Sequence, residues 1–278
     1  MKLGLLGKNI GYSLSPLLHR TLGQLSEIDI SYDLIDFATI DLKDGQSYMD
    51  YCLDNRYDGL NVTIPLKLEM RSFLEETSIE VSKIGAVNTL NLQEQKIQGY
   101  NTDFFALKRL IKEKLGPFKP GDQFLIAGAG GFAKAAAYAL GEVDELEVFV
   151  VNRTFEKAIE LADELSDFGI EANAIDQRIL YSANTYVDGL MNATPIGMGE
   201  SLEMPFDIRL IKEAKWAIES IYTPQNTMFL NTAIQSNCKY ISGLEILFHQ
   251  GCSSFEIWTG REINREKAWQ AFNQALQF

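Results

Sequence analysis

Residues 125–140 read LIAGAGGFAKAAAYAL: an apolar run, a glycine turn and an alanine-rich segment, in that order. A buried strand that turns on glycine straight into a helix opens a βαβ unit. Such units commit a chain to a largely parallel sheet with helices on its faces. The pattern G-x-G-x-x-A falls on Gly128, Gly130 and Ala133. In dinucleotide-binding folds the first glycine permits the tight turn and the second lets the backbone approach a pyrophosphate. The small third residue lets helix and strand pack closely, and the free amides at the helix start favour phosphate. Alone, the pattern also fits a purely structural turn. Its place between a predicted strand and helix, with a second strand at the right distance, favours the nucleotide reading.

The second strand ends in FVVNRT, residues 149–154. Its end faces the adenosine ribose, where an acid usually accepts from the 2′-hydroxyl. Here Arg153 stands instead, with Lys157 four residues on, one helical turn away on the same face. A guanidinium at that position suits a 2′-phosphate, so NADP is the expected cofactor. The competing reading is a solvated arginine at a strand end.

The rest of the chain extends the alternation in both directions. KLGLLG, ISYDLIDF and YDGLNVTI read as strands, with helices predicted over 16–25 and 44–55. Residues 87–101 read as a hairpin around a polar tip, and 101–115 as a helix closing on Gly116-Pro117. After the turn-rich GPFKPGD, a second α/β series runs to about residue 240, and the tail holds two helical patterns with no strand between them. The expected architecture is α/β in two domains. Residues 1–102 plus 241–278 form a mixed-sheet substrate domain to which the terminal helices return, and 103–240 form a Rossmann-type NADP domain.

Composition narrows the function classes. A net charge of −13 disfavours nucleic acid and anionic membrane surfaces, so an anionic small ligand needs a local cluster of cations. Cys52, Cys238 and Cys252 are scattered without a C-x-x-C pair, and the chain has only His19 and His249, so neither a disulfide framework nor a metal site is expected. His249 is assigned no role. No apolar run approaches a membrane span, and MKLGLLG is too short for a signal peptide; the cytoplasm is the expected compartment. Monomer and homodimer both remain open.

Three polar clusters sit where loops should meet strand ends. In GYSLSPLLH, Ser15 before Pro16 is an N-cap signal, and capping alone would account for Ser13 and Ser15. In GLNVTIPLK, Pro65 suggests a helix start that places Lys67 in the first turn, where the helix dipole opposes a cation and lowers its pKa. In GYNTDFF, Asp103 lies in the first turn of its own helix, where the dipole favours the carboxylate. Together Lys67 and Asp103 would make an acid/base pair if the fold brings them close.

With these stretches in hand the chain resembles the shikimate dehydrogenase family nearly end to end. The resemblance is carried by SLSPLLH, GLNVTIPLK, GAVNT, GYNTD, GAGGFAKA, VNRT, NATPIGM, YTPQNT, GLEILFHQG and FEIWTG, in the family's order. It implies reversible NADP-dependent reduction of 3-dehydroshikimate to shikimate, a step toward chorismate and the aromatic amino acids. Lys67 and Asp103 match the family's catalytic pair. Its substrate contacts fall on Ser13, Ser15, Thr63, Asn88, Asp103, Tyr222 and Gln250. Its cofactor contacts fall on Gly128, Gly130, Gly131, Asn152, Arg153, Thr154 and Lys157, with Thr194 and Met198 near the nicotinamide and Gly243 at the start of the closing helix. The competing readings are core packing for Tyr222 and a surface amide for Gln250. Departures are Tyr12 for the usual His, Ala106 for Gly, Glu219 for Asp and Ile246 for Met. Two other readings stay open: a quinate or aminoshikimate dehydrogenase of the same fold, and a metabolite sensor that has lost the chemistry.

Overall fold

The computed structural model describes residues 1–40, 42–93, 96–143, 146–180 and 186–277, the side chains of 179 and 180 aside. Two compact units divide the chain: Met1–Thr102 with Leu247–Phe278, and Asp103–Ile246.

In the first unit, β1 (Lys2–Gly7), α1 (Ser15–Leu25), β2 (Ser31–Asp36), α2 (Gly45–Asp54) and β3 (Gly59–Val62) alternate as parallel sheets require. After α3 (Ile79–Ile84) come β5 (Thr89–Asn91) and β6 (Gln98–Tyr100), an antiparallel hairpin; β4 (Glu76–Thr77) pairs parallel with β6. Glu94 and Gln95 of the predicted polar tip lie outside the described residues. The sheet order is β2-β1-β3-β5-β6-β4, with β1 parallel to β2 and β3 but β5 antiparallel to β3, a mixed sheet. Apolar side chains of β1, β3, β5 and α2 meet in one core around Leu6, Met49, Leu60 and Leu90.

The second unit begins at Asp103, in the first turn of α4 (Thr102–Leu110), which continues as a π-helix over Ile111–Leu115, and then builds a six-stranded sheet. Its strands are β7 (Gln123–Ala127), β8 (Glu147–Val151), β9 (Ala172–Ala174), β10 (Gly189–Asn192), β11 (Trp216–Glu219) and β12 (Lys239–Ile241). The order β12-β11-β10-β7-β8-β9 is parallel throughout. Counted from β7, this is the doubly wound 3-2-1-4-5-6 arrangement. Its helices are α5 (Gly131–Gly141), α6 (Phe155–Asp167), α7 (Gln177–Leu180), α8 (Ile208–Glu213) and α9 (Met228–Gln235). Helix α10 (Gly243–Thr259) starts in this unit and ends in the first, where α11 (Arg265–Ala275) packs on α1. Trp258 of α10 is anchored there, its Nε1 donating to the Leu90 carbonyl at 2.9 Å. Among the described residues no helix is long and apolar enough to cross a membrane.

Two local expectations need correction. Ser15 is the first residue of α1, not its cap; the cap position is Leu14, and Ser13 Oγ accepts from the Ser15 amide at 3.2 Å instead. Nor does a helix start at Pro65. Residues 64–68 are turns leading to a short 3₁₀ helix over Glu69–Phe73. The Lys67 carbonyl, which a helix would give to the amide four residues on, accepts from Val87 N–H at 2.8 Å. The helix-dipole argument for Lys67 therefore does not apply.

His19 on α1 is fully buried, stacked 4.6 Å from the Tyr32 ring and 5.2 Å from that of Trp258. Burial lowers its pKa to about 3, with Asn61 acting in the opposite direction. Neither ring nitrogen has a hydrogen-bond partner within bonding geometry, and the Asn61 amide is occupied elsewhere. Below pH 6.5 the unfolded chain protonates this imidazole and the folded chain does not, so the His19 contribution to stability falls as pH falls. Between about pH 6.5 and pH 5 the loss is about 2 kcal/mol. His19→Phe keeps an aromatic ring against Tyr32 and should remove that contribution, so that the change in stability between the two pH values differs from the wild-type change by about 2 kcal/mol. Urea unfolding at the two pH values checks it, and a variant whose change equals the wild-type change would contradict a neutral His19.

Candidate functional site

The glycine turn lies where β7 gives way to α5. Gly128 has φ +112°, and a Cβ there would stand 2.8 Å from the Ala193 carbonyl oxygen, so glycine is demanded by both backbone and neighbour. Its N–H donates to the Val151 carbonyl at 2.8 Å, which ties the turn to the end of β8. Gly130 is different. Its φ of −87° suits any residue, and a Cβ there would meet nothing within 4 Å. Neither conformation nor packing explains the missing side chain. The space it leaves lies at the amino end of α5, whose leading amides, starting at Gly131, have no side-chain cap. Ala133 is fully buried against the sheet. Open room, free amides and the dipole end together fit a pyrophosphate.

At the end of β8, the Asn152 amide donates to the Thr154 carbonyl at 2.8 Å and shapes the link into α6. Thr154 is the cap position of α6; Arg153 precedes it and Lys157 lies in the first turn. Arg153 and Lys157 are thus not one turn apart on a helix, as the spacing alone suggests, because the helix begins only at Phe155. Arg153, Thr154 and Lys157 are all exposed. Cations held in solvent beside an open helix end are available to an anion.

In the first unit the polar residues gather at the carboxyl ends of the parallel strands. Ser13 and Ser15 follow β1, their hydroxyls 3.2 Å apart; Thr63 and Lys67 follow the neighbouring β3. The Thr63 amide donates to the Leu6 carbonyl at 3.0 Å, so the two loops are joined through β1. The Lys67 carbonyl bond to Val87 places that turn beside Asn88. Asn88 is buried, its Oδ1 accepting from the Thr102 amide at 2.7 Å and its Nδ2 donating to Thr102 Oγ1 at 3.0 Å. Asp103, 5% exposed, is the next residue, in the first turn of α4.

Gln250 on α10 is also buried, which sets aside the surface-amide reading; its Nε2 donates to the Leu247 carbonyl at 2.8 Å. Behind Asn88 and Gln250 lies a network that sequence reasoning did not find. Asn61 Nδ2 donates to Thr89 Oγ1 at 3.1 Å and Ser254 Oγ at 2.9 Å, while Tyr32 Oη donates to Asn61 Oδ1 at 2.7 Å. Part of its signal was there: Asn61 stands between Leu60 and Val62 in an otherwise apolar strand, and buried polar groups need partners.

The remaining residues sit on loops of the second unit. Thr194 and Met198 follow β10, and Met198 is 40% exposed. Tyr222 follows β11 and is half-buried. Gly243 opens α10 so close to the preceding loop that a Cβ would lie 2.2 Å from the Ile221 carbonyl oxygen. Glu219, at the end of β11, has no exposed surface. Burial raises its carboxyl to about 7, against hydrogen bonds from Thr227, Ile221 and Asn192 that lower it. The folded chain therefore binds this proton above pH 4.5, where the unfolded chain does not. That contribution to stability is full below about pH 4.5 and is lost as pH rises through about 7, opposite in sign to the effect of His19.

Comparison with known proteins finds family matches along most of the chain. Residues 5–90 match the family model for the shikimate dehydrogenase substrate binding domain, 109–197 that for shikimate / quinate 5-dehydrogenase, and 243–271 that for the shikimate 5′-dehydrogenase C-terminal domain. A shikimate dehydrogenase (NADP(+)) of Saccharolobus solfataricus is 37% identical over 95% of this chain and 91% of its own length. Among solved structures, quinate dehydrogenase from Corynebacterium glutamicum, in complex with NAD, superposes with a TM-score of 0.87 at 29% identity over 99% of both chains. Shikimate 5-dehydrogenase from Thermus thermophilus, in complex with NADP(H) and shikimate, gives 0.82 at 30% identity, also over 99% of both. Kinship at this level over nearly the whole length, on a matching doubly wound sheet and mixed sheet, places the chain in the shikimate dehydrogenase family.

Proposed function

We propose that this protein catalyses the reversible NADP-dependent reduction of 3-dehydroshikimate to shikimate. The observation that carries the reading is the nearly full-length kinship with shikimate dehydrogenases (NADP(+)). When bound, the nicotinamide supplies or accepts the hydride. Every other part of the chemistry is assigned to side chains of the chain itself.

In this reading the α5 amides at Gly130 and Gly131 hold the pyrophosphate, and Arg153 and Lys157, with Asn152 and Thr154, receive the adenosine ribose and its 2′-phosphate. Thr194, Met198 and Gly243 lie toward the nicotinamide. Ser13, Ser15, Thr63, Asn88, Tyr222 and Gln250 bind the carboxylate and hydroxyls of the substrate. Hydrogen-bonding side chains of this kind select sharply, since a buried group left without its hydroxyl partner costs about 1–3 kcal/mol. Lys67 gives a proton to the carbonyl oxygen as the hydride arrives and takes it back in the reverse direction. Asp103 binds the adjacent hydroxyl and balances the ammonium charge. Support for these roles comes from the joined loops after β1 and β3 and from the bond that sets Lys67 beside Val87 and Asn88. The three cysteines are buried thiols, and a cytoplasmic site of action goes with this reading.

The test is a matrix of kcat/KM values for shikimate and quinate, each with NADP+ and NAD+, from the absorbance of the reduced cofactor. Shikimate with NADP+ should be the best pair by tenfold or more. The quinate reading is favoured by the likeness to an NAD-bound quinate dehydrogenase; quinate with NAD+ as the best pair would establish it. No turnover in any of the four would favour a sensor.

A further inference from the structure

The loops after β10 and β11 carry three of the residues assigned above, Thr194, Met198 and Tyr222, yet none of these comes from a regular element. What fixes them converges on one buried carboxylate. Glu219 Oε1 accepts from Asn192 Nδ2 at 2.9 Å and from the Ile221 amide at 3.0 Å; Oε2 accepts from Thr227 Oγ1 at 2.6 Å and from Asn192 Nδ2 at 3.2 Å.

Each donor leads to a different segment. Asn192, itself fully buried, passes the constraint into the β10 loop, its Nδ2 donating to the Ile196 carbonyl at 3.0 Å. Its Oδ1 accepts from the Thr194 amide at 3.1 Å and the Thr194 hydroxyl at 2.7 Å. The Ile221 amide is the peptide immediately before Tyr222. Thr227 caps α9, its Oγ1 accepting from Leu230 N–H at 3.2 Å. A bond from the Gly199 amide to the Thr223 carbonyl, 3.0 Å, ties the two loops to each other.

We propose that Glu219 is a positioning residue: through Asn192 and the Ile221 amide it holds Thr194, Met198 and Tyr222 in one arrangement. Once ionised, above about pH 7, the side chain faces only donors, so the site then needs an acceptor with two oxygens, which a carboxylate supplies and a carboxamide does not, and the variants are compared above about pH 8.

The role given to the loops rests on the proposed dehydrogenase function, whereas the positioning itself is readable without turnover. Glu219→Gln keeps the volume and exchanges one acceptor oxygen for a donor; Glu219→Asp keeps both oxygens and shortens the reach. If the carboxylate positions the loops, Gln is the more damaging change. Amide exchange over 193–199 and 220–224 should then accelerate about tenfold or more in Glu219→Gln, leaving β7 and β8 protected. In the same variant kcat with shikimate should fall about ten- to hundredfold. NADP+ affinity by calorimetry should change less than about threefold, because the adenosine end is untouched, and Glu219→Asp should recover most of kcat.

If Glu219→Gln does not fold, Thr227→Val, which removes one donor and leaves the other two, must show the same localised exchange with a smaller kcat loss. Wild-type exchange over both loops in the folded variant overturns the proposal. So does a greater loss in Glu219→Asp than in Glu219→Gln, which would mark simple space filling. A wild-type protein that turns over no shikimate, but whose loops loosen in Glu219→Gln, leaves the positioning intact and removes the dehydrogenase reading.

Discussion

Lys67→Met is expected to lower kcat about 10²–10⁴-fold while changing the KM for shikimate only a few-fold. That range is usual for removal of a general acid/base. Methionine keeps the unbranched apolar stem and deletes the proton donor. The carbonyl bond from Lys67 to Val87 belongs to the backbone and survives the change, so the turn next to Asn88 should hold. Neither histidine can take over in this account, His19 being fully buried and neutral, and His249 on α10 packing edge-on against Phe248 at 5.2 Å. Asp103→Asn should affect kcat and KM together, since its carboxylate both binds a hydroxyl and balances Lys67. A Lys67→Met enzyme with intact kcat and raised KM would instead make Lys67 a uniform binding residue.

Arg153→Ala should raise the KM for NADP+ about tenfold or more and leave that for shikimate nearly unchanged. A charge-assisted hydrogen bond of about 1.5–3 kcal/mol sets that scale. The KM for NAD+, which has no 2′-phosphate, should stay where it is, so the preference between cofactors collapses. The side chain is exposed just before α6, so its removal costs little stability. A variant that keeps the wild-type preference for NADP+ would refute the assignment of Arg153. Initial rates at varied cofactor concentration decide it.

The central βαβ unit was fully legible because its signals are local: apolar strand, glycine turn and alanine helix occupy consecutive residues. Legibility faded at the sheet edges. Strands β4, β9 and β12 have two, three and three residues, and each lies at the edge of its sheet, where one side lacks a neighbour and periodicity is too short to read. The Lys67 turn was misread because Pro65 fits a helix start, while the deciding bond comes from Val87, twenty residues away in the chain. Nothing local announces a partner at that separation. Gly130 shows the reverse. The sequence pattern assigned it to close approach, and only the structure separates it from Gly128, whose glycine the fold itself requires. Which residues pair in the buried network of Asn61, Asn88, Thr89, Thr102 and Ser254 was not legible for the same reason as the turn, its members coming from segments up to 193 residues apart.

Direct hydride transfer between the substrate ring and the nicotinamide is the claim on which the residue roles depend. Shikimate carrying deuterium on the carbon that bears the 3-hydroxyl, incubated with the protein and NADP+, tests it in one measurement. The account predicts one deuterium in the reduced nicotinamide and none released to water, read by mass spectrometry of the isolated cofactor. Deuterium lost to solvent, or NADPH formed without label, would contradict it.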